Sequence, residues 1–64
     1  MRVNGEPRTV TEGTTLAQLL LALDQRPGSV VVERNGEALP PSGIAAVVLA
    51  EGDVLEIVRA VAGG

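Results

Sequence analysis

Read as the end of the polypeptide, Gly63-Gly64 carries an α-carboxylate on two residues with no side chains. Glycine lets a backbone pass through a slot too narrow for a Cβ and lets another backbone approach closely. A carboxylate activated by ATP becomes an acyl phosphate anhydride, open to attack by sulfur or amine nucleophiles. The dipeptide therefore has two readings, an acyl handle or an inert frayed end, and the rest of the chain must choose between them.

Few other groups offer chemistry. The chain has no His, no Cys and no Lys, so the usual general base at neutral pH, the soft metal ligands and the thiol and amine nucleophiles are all missing. Ser29 and Ser42 have no His to activate them. Carboxylates alone remain for acid–base work. A pair of them suits glycoside chemistry, but 64 residues leave little room for a pocket. The expectation is a chain that is not an enzyme, with no catalytic residues and no metal site. Net charge is −3, every cation is Arg, and there is no aromatic residue. Without a basic stripe or a stacking platform, nucleic-acid binding is not expected. An acidic surface suits a partner with a basic docking face.

Hydrophobic residues make up 45% of the chain, which argues against disorder. No apolar run approaches the ~20 residues that span a bilayer, so no membrane association is expected. Strand-like sequence begins almost at Met1, no leader is visible, and no disulfide can form. The expected location is cytoplasmic. A chain this short has one small core, so the expectation is a single domain over 1–64, monomeric when free.

These elements must position the handle. Asn4-Gly5 is a strong hairpin signal, joining expected strands over 1–4 and 7–11. Thr15 and Gln18 have the spacing of a capping box. Leu16, Leu19, Leu20 and Leu23 follow at i, i+3, i+4 and i+7, giving a core-facing helix of about three turns over 15–24. Arg26-Pro27-Gly28 is the expected stop. The continuous β-branched run 30–32 reads as a strand in the sheet interior. Asn35-Gly36 turns the chain, Ala38 and Leu39 pair briefly, and Pro40-Pro41 prevents a regular strand. A short loop or single helical turn over 42–46 and a short strand over 47–49 follow. After a turn at Glu51-Gly52-Asp53 comes the last strand, over 54–59, with Leu55 and Ile57 on one face and Glu56 on the other. Residues from about 60 to 64 read as a flexible tail. The sum is an α+β fold of the ubiquitin-like β-grasp kind. Its small mixed sheet has the first and last strands parallel, and one main helix packs on one face.

The chain also resembles a known family, the sulfur carrier proteins of thiamine biosynthesis (the ThiS family), which is ubiquitin-like. The resemblance rests on Asn4-Gly5-Glu6, on the run Gly13-Thr14-Thr15-Leu16-Ala17-Gln18-Leu19-Leu20, and on Val32-Glu33-Arg34-Asn35-Gly36-Glu37 followed by proline. The run Leu49-Ala50-Glu51-Gly52-Asp53-Val54-Leu55-Glu56-Ile57-Val58 and the final Ala62-Gly63-Gly64 complete it. It implies that a ubiquitin-activating-type adenylyltransferase adenylates the carboxylate of Gly64. Sulfur brought by an upstream donor enzyme then replaces AMP, and the thiocarboxylate serves thiazole synthase. In that scheme Gly64 is the sulfur attachment point. Val61, Ala62 and Gly63 are the tail that enters the partner's channel. No cofactor is bound, and ATP is consumed by the activating partner.

Relatives that serve molybdopterin synthesis or tRNA thiolation share the fold and the Gly-Gly end, as do ubiquitin-like modifiers attached to lysines. A β-grasp docking module without terminal chemistry is a further alternative. Arg59 reads as a solvated strand-end charge, with pairing to an acidic partner as the second reading. Glu33, Glu37, Glu51, Asp53 and Glu56 read as ordinary wetted surface or as an acidic docking face. For Asp53 the preferred role is to satisfy turn N–H groups.

Overall fold

A computed structural model of the protein describes residues 1–59. The tail expected from about 60 lies outside the described residues. Five strands form one sheet in the order β2-β1-β5-β3-β4. The strands are β1 (Arg2–Val3), β2 (Glu6–Pro7), β3 (Val30–Arg34), β4 (Glu37–Leu39) and β5 (Val54–Arg59), with the helix α1 at Leu16–Ala22. β1 pairs parallel with β5, and the other pairings are antiparallel. The first and last strands therefore lie side by side at the centre, which is the β-grasp arrangement.

Both hairpins form at Asn-Gly. Asn4 and Gly5 have φ of 52° and 82°, and Asn35 and Gly36 have 53° and 84°. Two successive positive φ angles match the twist of the flanking strands, and Gly and Asn reach them with least strain. Prolines mark where both short strands end, β2 at Pro7 and β4 just before Pro40. Turns of 3₁₀ helix follow at Pro41–Ala46, the helical of the two forms expected over 42–46.

Leu16, Leu19 and Leu20 are buried against Val3, Val30, Val32 and Leu55, with Ile44 and Leu49 closing the cluster. The leucine spacing thus puts one face of α1 on one face of the sheet, as expected. Among the described residues, the other face of the sheet is open. β3 does run inside the sheet, between β5 and β4, but its burial alternates: Val30 and Val32 are buried and Val31 is 50% exposed. A single helix covers one side only, so a β-branched run cannot be buried on both.

Three expected elements are shorter than their sequence patterns. The strand over 7–11 is realised only at Glu6–Pro7. Pro7 has no N–H for a ladder, and the Arg8 N–H already bonds the Met1 carbonyl at 2.9 Å, leaving β1 with nothing to offer residues 9–11. The strand over 47–49 is a single bridge between Val48 and Thr15. Thr15 is the N-cap of α1, extended at φ −88° and ψ 158°, and the helix starts before a ladder can grow. The helix itself has seven residues, about two turns. It ends well before Pro27, because Asp24 turns to φ 59°. The Gln25 N–H then bonds the Leu20 carbonyl and the Asp24 N–H bonds that of Leu21, the Schellman closure in which glycine usually sits.

Candidate functional site

β5 leads to the proposed chemical handle, so the groups that hold its end are the ones that matter. On one side β3 follows it to the last described residue, with Val58 opposite Val31 and Arg59 opposite Val30. On the other side β1 stops at Val3, opposite Leu55. The Asn4 N–H still reaches the Leu55 carbonyl at 2.9 Å. Beyond that point the Asn4 side chain takes over. Its Oδ1 accepts from the Ile57 N–H at 2.7 Å, and its Nδ2 donates to the Ile57 carbonyl at 3.1 Å. A carboxamide carries the same donor and acceptor as a peptide group, so it can stand in for a missing strand residue. The hairpin turn holds it there.

The same device recurs at the start of β5. Asn35 opens the turn after β3, and its Oδ1 accepts from the Val54 N–H at 2.9 Å while its Nδ2 donates to Asp53 Oδ1 at 3.1 Å. Asp53 is 5% exposed. Its Oδ2 also accepts from the Ala50 N–H at 2.8 Å and from Arg34 Nε at 3.1 Å, and Arg34 Nη2 lies 3.0 Å away. Burial pushes the Asp53 carboxyl up. The bonds from Ala50, Asn35 and Arg34, with the Arg34 charge, outweigh that and leave it below its ordinary value. The turn role expected for Asp53 is therefore what the structure shows. Its place in an acidic docking face is not, because a buried carboxylate presents nothing to a partner.

The other acidic residues do not gather into one face either. Glu33 and Glu56 sit directly opposite each other across β3 and β5 on the open side. Glu37 is opposite Arg34, on the other face by the alternation of β3, and Glu51 is in a turn. Around Glu33 and Glu56 the open side exposes Val31, Val54 and Val58, the last at 60%. Apolar area rimmed by charge is characteristic of a surface that meets another protein.

Where β1 and β2 diverge from β5 there is an open groove of about 370 Å³, lined by Asn4, Glu6, Arg8, Gln25, Ile57 and Arg59. Arg59 is exposed at the strand end, as expected. Arg34–Asp53 is the one ion pair among the described residues, and it does not involve Arg59. Among the described residues, no three His, Cys, Asp or Glu side chains could together hold a metal ion. No described helix is long and apolar enough to cross a membrane. Val61, Ala62, Gly63 and Gly64, the residues on which the expected chemistry falls, lie outside the described residues.

Sequence reasoning gave Asn4 and Asn35 turn chemistry only. The missed signal is that each of the two strands flanking β5 is followed directly by Asn-Gly. A positive-φ turn asks only for Gly or Asn. Only Asn can also reach sideways to a third strand.

The ThiS family model matches the chain over residues 1–64. Among curated proteins, a thiazole synthase of Magnetococcus marinus is 42% identical over 64 residues, covering 100% of this chain and 20% of that protein. A thiazole synthase of Paramagnetospirillum magneticum is 44% identical over 64 residues, covering 97% and 19%. The chain thus spans about a fifth of the length of the curated relatives it matches. Among solved structures, the crystal structure of the thiamine biosynthesis protein ThiS from Geobacter metallireducens superposes with a TM-score of 0.80 at 36% identity, covering 98% of this chain and 96% of that one. The solution structure of a thiamine biosynthesis protein from the same organism gives 0.76 at 36% identity, with 98% and 85% covered.

Proposed function

Because the chain belongs to the ThiS family, we propose that it carries sulfur for thiamine biosynthesis on the carboxylate of Gly64. A carboxylate oxygen attacks the α-phosphorus of ATP, pyrophosphate leaves, and an acyl adenylate forms. Sulfur delivered at the sulfide level, as hydrosulfide, attacks the acyl carbon, AMP leaves with the C–O bond broken, the S–H proton passes to solvent, and a thiocarboxylate remains. The chain supplies the acyl group and its presentation. A ubiquitin-activating-type adenylyltransferase and an upstream sulfur-donating enzyme supply the catalysis, so the chain is a protein cosubstrate and not an enzyme. It binds no cofactor of its own, works in the cytoplasm and is monomeric when free.

The observation that carries this reading is a family match that runs through Gly63 and Gly64. The absence of His, Cys and Lys agrees with it, since a group that is only presented needs no base or nucleophile alongside. Val61, Ala62 and Gly63 form the segment that threads the partner's channel. The thiazole synthase names of the curated relatives support thiazole synthase as the acceptor of the sulfur. The exposed valines beside Glu33 and Glu56 are a surface on which such partners can dock.

The reading requires a free carboxylate on Gly64, and that is its test. Three chains are compared: one ending at Gly64, one lacking Gly64 and one with a residue added. Each is incubated with an adenylyltransferase of this type, ATP and a sulfur donor, and followed by pyrophosphate exchange and intact mass. Either change moves the carboxylate by ~3.5 Å, and a misplacement of ~1 Å can cost on the order of 100-fold. The chain ending at Gly64 is expected to exchange one oxygen for sulfur, and the other two to lose activation while melting unchanged. An extended chain that reacts as fast as the first would leave a docking module as the better account.

A further inference from the structure

We infer that Asn4 is the positioning residue that fixes the end of β5, the strand from which the chain continues to the reactive carboxylate. The inference rests on the sulfur-carrier reading and adds a residue to it. β1 ends opposite Leu55, so the N–H and C=O of Ile57 face a side where no described strand continues. The Asn4 amide fills that place with two bonds, at 2.7 and 3.1 Å, across 53 positions of sequence. Ile57 is followed by two more residues of β5, and residues 60–64 continue from there. The clamp thus sets the direction of the strand end relative to the open sheet face carrying Val31 and Val58.

Two features separate this role from simple turn chemistry or hydrogen-bond satisfaction. The turn needs only a positive φ at position 4, which glycine adopts with less strain than asparagine. Asn4 is also exposed, so water could meet the polar groups of Ile57 if bonding were all that mattered. What water cannot do is hold the strand at a fixed distance from the hairpin. β5 contains its own control. Asn35 makes the matching contact at Val54, at the end of the strand remote from the tail.

The experiment compares wild type, Asn4→Gly, Asn4→Asp and Asn35→Gly, each ending at Gly64. Thermal melting and amide exchange at Ile57 and Val32 are measured on the free chains. Partner-dependent pyrophosphate exchange is then measured with the chain as the varied substrate. Asn4→Gly is expected to lose exchange protection at Ile57 and keep it at Val32. Its KM should stay within about twofold while kcat falls about 10–100-fold, because docking is intact and the carboxylate is misplaced. Asn4→Asp keeps an acceptor for the Ile57 N–H and should recover part of kcat. Asn35→Gly should melt lower yet keep kcat within about twofold of wild type.

An unchanged kcat in Asn4→Gly overturns the inference, as does an equal loss in Asn35→Gly. If Asn4→Gly fails to fold, Asn4→Asp decides, and a wild-type kcat there is the overturning result. An inert wild type removes the sulfur-carrier reading and this role together. Full Ile57 protection in Asn4→Gly would instead refute the clamp itself, whatever the carrier does.

Discussion

Asp53 shows how one side chain can tie a turn to the sheet. It is 5% exposed, and a bare carboxylate there would be costly. It is tolerated because Ala50, Asn35 and Arg34 surround it with donors. Its folded pKa lies below its ordinary value, so it contributes stability that is present above the unfolded pKa of about 3.9. That stability is lost as pH falls through the lower folded value. The melting temperature should therefore drop on acidification below about pH 4. Asp53→Asn, with no carboxylate to titrate, should flatten this part of the pH profile. It should also cost about 1.5–3 kcal/mol at pH 7, the range for hydrogen bonds to a charged group. Melting curves of the two proteins from acid to neutral pH measure both effects. Parallel profiles would mean that other carboxylates carry the acid transition.

The helix shows why its two ends are not equally legible. Its start is local: Gln18 N–H bonds Thr15 Oγ1 at 3.1 Å and Thr15 N–H bonds Gln18 Oε1 at 2.9 Å, a reciprocal pair visible as Thr-x-x-Gln in the sequence. Its end sits on Asp24, a residue type that does not advertise a left-handed cap. An L-residue in that region carries about 1–2 kcal/mol of strain, and a negative charge beside the last carbonyls is unfavourable. Glycine removes both, at some loss of unfolded-chain entropy. Asp24→Gly should therefore stabilise the protein by about 1 kcal/mol, raising the melting temperature by about 4–8 °C for a domain of this size. A lower melting temperature would show that the Asp24 side chain has a compensating role.

In the whole molecule, little stability is held in reserve. At roughly 0.05–0.15 kcal/mol per residue, a domain of this length has only several kcal/mol in total. Among the described residues the core is one cluster, under one α-helix, on one side of one sheet. Leu20 is fully buried in that cluster, and its neighbour Leu21 is 71% exposed. Leu20→Ala should cost about 2–5 kcal/mol, enough to unfold a large share of the molecules. Leu21→Ala should change stability by less than about 0.5 kcal/mol. Denaturant midpoints of the pair distinguish a one-sided core from a diffuse one. Equal losses would show that the outer leucine is covered.

The elements that depend on residues a few positions apart are legible in the chain itself. The capping box closes over three residues, the Asn-Gly turns over two, the leucine stripe over two helical turns, and β5 alternates as Leu55, Glu56 and Ile57 suggest. Physically, each is decided by contacts within one turn or one strand. The Gly63-Gly64 pair is read directly from residue type, and the chemistry proposed for it falls outside the described residues. What tertiary structure alone decided is where each pattern is cut short and what reaches across it. β2 ends because β1 has no further partner to give. The ladder at Val48 stops because Thr15 begins a helix. Val31 is exposed because none of the described elements lies over the second face. Asp53 is buried because Arg34 and Asn35 arrive from β3 and the turn after it. Asn4 holds Ile57 only because the parallel register of β1 and β5 brings them together across 53 positions. That register is set by the whole core, and no window of neighbouring residues contains it.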